Sequence, residues 1–219
     1  DDETRYFMNG VYLEKDQEDL VMVATDGRRL SHVRSKPTAP IPDFAGVIIP
    51  PKILNLIRKL LSGEGAVRMA IADKQVFLDF DQHQLASALI DGDFPNYRRV
   101  IPDEQEHKIT ISREDLLSAL KRVALLVEKS RRVYIDLAPD QLTLRSEEGD
   151  LGVARESIPC EYSGPETVMA LNYQYLLDPL RVIETETVSI EFSDPTKATT
   201  LRAVPDSDYF HIIMPMQLD

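Results

Sequence analysis

The stretch GVIIPPKILNLIRKLLSGEGAVRMAI, residues 46–71, decides the fold because it returns later in the chain. At an offset of 121 it falls without a gap on TVMALNYQYLLDPLRVIETETVSIEF, residues 167–192. In both, a short apolar strand leads into an amphipathic helix, then a turn, then an alternating strand. The residues before it repeat too. VYLEKDQEDLVMVATDG (11–27) matches VYIDLAPDQLTLRSEEG (133–149) at an offset of 122, pairing Tyr12 with Tyr134, Leu20 with Leu142 and Gly27 with Gly149. Two long blocks in one order at nearly one offset mark two copies of a single α+β unit.

The second copy reads as complete. HKITI (107–111) predicts a strand, and SREDLLSALKRVALLVEKSRR (112–132) a helix with Ser112 as N-cap and Asp115 three residues on. Leu116, Leu117, Leu120, Val123, Ala124 and Val127 form its inward stripe, which leaves Leu125 facing outward. A hairpin turning at Pro139-Asp140, the strand GVARESIP, a helix over 172–186 and two further strands ending in YFHIIMPM follow. By the offset Asp1 corresponds to Val123, so about 16 residues present in copy two have no counterpart at the front of copy one. The expectation is a fragment of a longer protein. DGDFPNYRRVIPDEQEH (91–107) joins the copies as a linker, pinned by Phe94, Tyr97, Val100 and Ile101.

Composition narrows the function. A net charge of −12 argues against tight wrapping on nucleic acid, which is driven by phosphate neutralisation. Positive charge is nevertheless segregated: the segments 112–132 and 51–61 each carry a local excess of about three cations. Lys52 sits in a helical first turn, against the macrodipole, which favours cations at the other end. No metal is expected, because His32, His83, His107 and His211 stand apart without partner ligands. With no nucleophile elbow, phosphate loop or dinucleotide fingerprint, neither a cofactor nor an enzyme is expected. One cysteine, Cys160, and no signal-peptide pattern fit a cytosolic protein.

Four strings, RYFMNG (5–10), VATDGRRL (23–30), DGDFPNYRRVIP (91–102) and MPMQL (214–218), resemble the bacterial DNA polymerase III beta subunits, the replicative sliding clamps. The resemblance runs from Thr4 to Leu218. It implies repeated clamp domains, each with two helices on antiparallel sheets, the helices lining a DNA channel. Residues 1–98 would be the second clamp domain, truncated at its front, and 99–219 the third. A full clamp would close as a head-to-tail dimer around duplex DNA without sequence preference. It would be cytoplasmic, on the nucleoid, and would serve as a processivity factor.

The resemblance also implies residue roles. Tyr6, Lys52, Asn172 and Tyr175 would face DNA, and Leu125 and Leu126 the other subunit. The replicative polymerase, the clamp loader and repair proteins would insert a short glutamine, leucine and aromatic motif between the second and third domains. The pocket would comprise Met8, Thr25, Gly27, Arg28, Arg29, Leu30, Pro95, Arg99, Val100, Tyr175, Thr200, Met214, Pro215 and Met216. Flexible methionines suit an adaptable apolar cavity. Arg28 and Gln217 stand where histidine and arginine are frequent, and Pro179 interrupts the helix over 172–186. As given, the chain is expected to be a monomer that binds clamp-binding peptides and cannot close a ring. A protein-interaction scaffold without DNA encirclement is the alternative reading.

Overall fold

The computed structural model describes residues 8–127, 130–148 and 152–218, and they form an α+β fold. Two compact units emerge: the first ends at Asn96, and the second is formed by Gly27–Ser31 together with the chain from Tyr97 onward.

In the first unit, β1 (Val11–Asp16) and β2 (Asp19–Thr25) form a hairpin, with Gln17 at φ 58° in its turn, and β3 (Arg29–Ser35) follows in the chain, its first residues belonging to the second unit. On the other edge of β1 lies β4 (Val47–Ile49). The close approach there needs a glycine: a Cβ on Gly46 would fall 1.9 Å from the Tyr12 hydroxyl. Tyr12 also stacks on Phe94 of the linker at 4.8 Å. Helix α1 (Pro51–Leu60) starts with proline at its first position, where the missing N–H costs nothing. Strands β5 (Arg68–Ala72), β6 (Gln75–Phe80) and β7 (His83–Ala88) make an antiparallel sheet with β5 at its edge. The core comprises Leu13, Ile49, Ile53, Val76, Leu78 and Phe80. Leu56, Leu61, Val67, Met69 and Phe77 stay exposed.

The second unit is fuller. One sheet runs β11 (Gly152–Pro159), β10 (Gln141–Glu148), β9 (Arg132–Ala138), β12 (Thr167–Asn172). The other runs β15 (Tyr209–Ile213), β14 (Thr199–Val204), β13 (Thr187–Phe192), β8 (His107–Ser112). The β9–β10 hairpin turns where expected, with Asp140 at φ 58°. Helices α2 (Arg113–Val123) and α3 (Tyr173–Val182) bury Leu116, Leu120 and Val123, and Leu176, Leu177 and Leu180, in a core shared with both sheets. Arg113 in the first turn of α2 donates to Leu180 O and Thr185 O at the end of α3, a cation placed at a helix C-terminus.

Ser112 caps α2 as expected, accepting from Asp115 N at 3.3 Å. The helix is shorter than its pattern, however. It stops at Val123, where the Ser146 hydroxyl donates to the Val123 carbonyl at 3.0 Å, and Ala124–Leu126 tighten into a 3-10 turn. A tertiary hydrogen bond thus ends a helix whose apolar periodicity continues. Helix α3 likewise ends at Val182, short of the expected 186, and runs through Pro179.

Candidate functional site

The chain's last residues are held on the second unit by main-chain bonds. Met214 N donates to Arg28 O at 2.8 Å, and Met216 N donates to Ala170 O at 2.7 Å, which forms an antiparallel bridge to β12. The Tyr134 hydroxyl reaches Leu218 O at 3.4 Å. These bonds use backbone and leave side chains to solvent: Met214 is 42% exposed, and Pro215 and Met216 are half-buried. The result is a fixed tail presenting soft apolar groups.

Beside it lies the segment Gly27–Ser31. Gly27 has φ 83°, a left-handed conformation that a residue with a Cβ adopts at a cost. Leu30 is a buried anchor at 2% exposure, while Arg29 reaches α3. Arg29 Nη1 donates to Asp178 Oδ2 at 2.6 Å, and the guanidinium carbon lies 4.5 Å from the Tyr175 ring centroid. The other carboxylate oxygen accepts from Gln174 Nε2 at 2.5 Å. Gln174 and Asp178 are one helical turn apart and so share a face. Burial opposes ionisation of Asp178, but hydrogen bonds from Arg29 and Gln174 and the charges of Arg29 and Arg181 outweigh it and hold its carboxyl below the usual range. Ser31 Oγ lies 2.7 Å from His211 Nδ1. Burial pushes the Tyr209 phenol up, against an opposing hydrogen bond with Ser31.

Of the residues singled out in the sequence, Gly27, Arg28, Arg29, Leu30, Arg99, Val100, Tyr175, Thr200, Met214, Pro215 and Met216 lie on the second unit. Met8, Thr25 and Pro95 lie on the first. Arg99 and Val100 are exposed on a 3-10 turn that buried Tyr97 anchors. Thr200 is 1% exposed, and its hydroxyl has no hydrogen-bond partner among the described residues. It therefore lies beneath the surface with unspent polar capacity.

Tyr6 falls outside the described residues. Lys52 is exposed on α1. The Asn172 side chain caps α3, accepting from Gln174 N at 3.0 Å, and Tyr175 is half-buried under Arg29. Leu125 is 82% exposed and Leu126 half-buried. Gln174, Asp178, Ser31 and Tyr209 carry no expectation from the sequence, and His211 entered only as a histidine without metal-binding partners. Only the i, i+4 spacing of Gln174 and Asp178 offered a signal in the sequence. A shallow cavity of about 410 Å³ on β5–β7, lined by Met69, Phe77 and Leu85 with the Arg68–Asp79 pair among its walls, involves none of the singled-out residues. Among the described residues no cluster of His, Cys, Asp or Glu could hold a metal ion, and no helix is long and apolar enough to cross a membrane.

Two family profiles match nearly the whole sequence: DNA polymerase III beta subunit, central domain, over residues 1–96, and its C-terminal domain over residues 98–217. The chain belongs to this family. Among curated relatives, the beta sliding clamp of Treponema pallidum is 46% identical over all of this chain and 60% of that protein. That of Borreliella burgdorferi is 34% identical over 99% of this chain and 57% of its own length. The DNA polymerase III subunit beta of Borrelia burgdorferi, solved with a natural product, superposes with a TM-score of 0.93 at 34% identity, covering 100% of this chain and 58% of that one. The Pseudomonas aeruginosa clamp bound to griselimycin gives 0.93 at 32%, over 100% and 60%. This clamp chain thus spans about three fifths of the length of its relatives. Sliding clamps are processivity factors, not catalytic enzymes.

Proposed function

We propose that the second unit carries the peptide-docking surface through which a sliding clamp holds its partners, and that this surface is built from Met214–Met216, the segment Gly27–Leu30, Arg99, Val100 and Tyr175. The observation that carries the reading is the pinned tail: hydrogen bonds to Arg28 O and Ala170 O fix its backbone while Met214 remains exposed. A fixed backbone with adaptable thioethers pays little ordering cost and accepts several apolar anchors. Thr200 gives the floor an unpartnered hydroxyl. Partners would be the replicative polymerase, the clamp loader and repair proteins with a short glutamine, leucine and aromatic motif. Two or three buried anchors would supply most of the binding energy.

In the protein of full length, a head-to-tail dimer encircles duplex DNA in the cytoplasm, on the nucleoid. Lys52, Asn172 and Tyr175 then lie toward the DNA, while Leu125 and Leu126 meet the other subunit. The high exposure of Leu125 supports the latter role. The 219-residue chain alone is a monomer that binds peptide and closes no ring. Light scattering tests the first half, and a stable dimer contradicts it. A labelled pentapeptide of the glutamine, leucine and aromatic class tests the second: saturable binding is expected, and none at millimolar peptide contradicts it.

A further inference from the structure

Four residues of the second unit stand in one row across its sheet. Arg145 on β10 pairs with Tyr134 on β9, Tyr134 with Ala170 on β12, and Ala170 with Met216 of the tail. Residues directly opposite one another in antiparallel strands point to the same face. Their sequence neighbours Val133, Ile135, Leu144, Met169 and Leu171 fill the core, so the row lies on the outer face. Ala170 is nevertheless only 1% exposed, with Tyr134 on one side of it in the row and the tail on the other.

The Tyr134 side chain is held at both ends. The Arg145 guanidinium carbon lies 4.4 Å from its ring centroid, and Asp136 holds that arginine through Nε to Oδ2 at 3.1 Å and Nη2 to Oδ1 at 3.3 Å. Glu147 accepts from Nη1 of the same guanidinium. At the other end the hydroxyl accepts from Arg132 Nη1 at 3.2 Å and donates its one proton to Leu218 O at 3.4 Å. The tail thus has three attachments. Met214 N and Met216 N donate to backbone carbonyls, so any substitution that keeps the N–H leaves those bonds in place. The bond at Leu218 depends on one side chain. It closes residues 216–218 at their far end, so Met216 is fixed from both directions along the chain.

We propose that Tyr134 is a positioning residue of the docking surface: its hydroxyl latches the tail at Leu218 and so holds Met216 in place for a bound peptide, acting through the tail rather than through contact with the peptide. The inference rests on the peptide-docking reading and adds to it a residue from a strand that reading does not include.

The test compares the 219-residue chain with Tyr134→Phe, which removes the hydroxyl and keeps the ring against Arg145. Titrated by fluorescence anisotropy with the glutamine, leucine and aromatic pentapeptide, Tyr134→Phe raises the dissociation constant by about two- to tenfold, the size expected of one hydrogen bond. A chain ending at Gln217 shows a similar loss, and there Tyr134→Phe adds nothing, because both changes break the same bond. A merely structural role for Tyr134 would weaken binding equally in both backgrounds, so additive losses overturn the proposal, as does unchanged binding in Tyr134→Phe.

A second readout needs no peptide. Amide hydrogen exchange at Met216, whose N–H donates to Ala170 O, speeds up about two- to tenfold in Tyr134→Phe, while exchange at Ile135 in the core strand β9 keeps its rate. Unchanged exchange at Met216 overturns the latch. If the pentapeptide does not bind the unsubstituted chain, the docking reading fails and the role in docking fails with it, and faster exchange at Met216 would then support the latch alone.

Discussion

The two copies of the repeated unit end in the same way and put that ending to different uses. In the first, Ile90 follows the last strand and its N–H donates to Ile48 O at 2.9 Å, bridging back to β4. In the second, Met216 follows the last strand and donates to Ala170 O, bridging back to the equivalent strand β12. After Ile90 the chain goes on through the linker, whereas around Met216 the side chains of Met214, Gln217 and Leu218 stay exposed. A structural staple common to both copies thus becomes, in the second, a fixed edge with exposed side chains. The copies differ in their cores as well. Two helices in the second bury four side chains each, while α1 in the first buries Ile53 alone.

The largest expected effect follows from the cores. Leu120→Ala should cost about 3 kcal/mol in denaturant unfolding, the transfer and cavity penalty of a fully buried leucine. Leu56→Ala in the first unit should cost under about 1 kcal/mol, because Leu56 is 40% exposed. Equal costs would break the distinction. The staples come next. Met216→Pro and Ile90→Pro each remove one donated hydrogen bond, worth about 1 kcal/mol. Only Met216→Pro should also weaken the pentapeptide, by more than about tenfold through loss of the fixed edge; an equal loss in Ile90→Pro would blur the comparison.

Acid sensitivity sharpens it further. Asp178 has a lowered folded-state pKa, so its pair with Arg29 contributes stability above the unfolded value, and this is lost as pH falls through the folded value. Asp178→Asn should flatten that part of the acid limb. The change should be at most about 1 kcal/mol, since the side chain is 37% exposed and screened. The smallest effect belongs to Leu125→Ser, which should shift stability by less than about 0.5 kcal/mol despite removing an isobutyl group, because that group is in water already.

Local signals were legible in the sequence. The repeat aligned β9, β10, β12 and α3 in sequence with β1, β2, β4 and α1, Ser112 announced the start of α2, and the inward stripe of α2 left Leu125 outside. Long-range bonds were not legible. Nothing near Arg29 indicates that its partner is Asp178, 149 positions away. Nothing near Val123 shows that Ser146 closes the helix there. Leu30 and Thr200 look like surface contributors in a list of types, yet a hydroxyl on a strand is buried or exposed according to which face the pairing turns inward. The chemistry of the candidate surface could be read from its methionines and arginines, while its electrostatics required the fold.

The most direct test of the second unit as the docking surface is pentapeptide binding by the chain with and without Met214–Leu218, with unfolding measured in parallel. The intact chain should bind saturably below millimolar concentration, and the truncated chain should keep most of its stability and lose the peptide. Undiminished binding by a folded truncated chain would contradict the assignment.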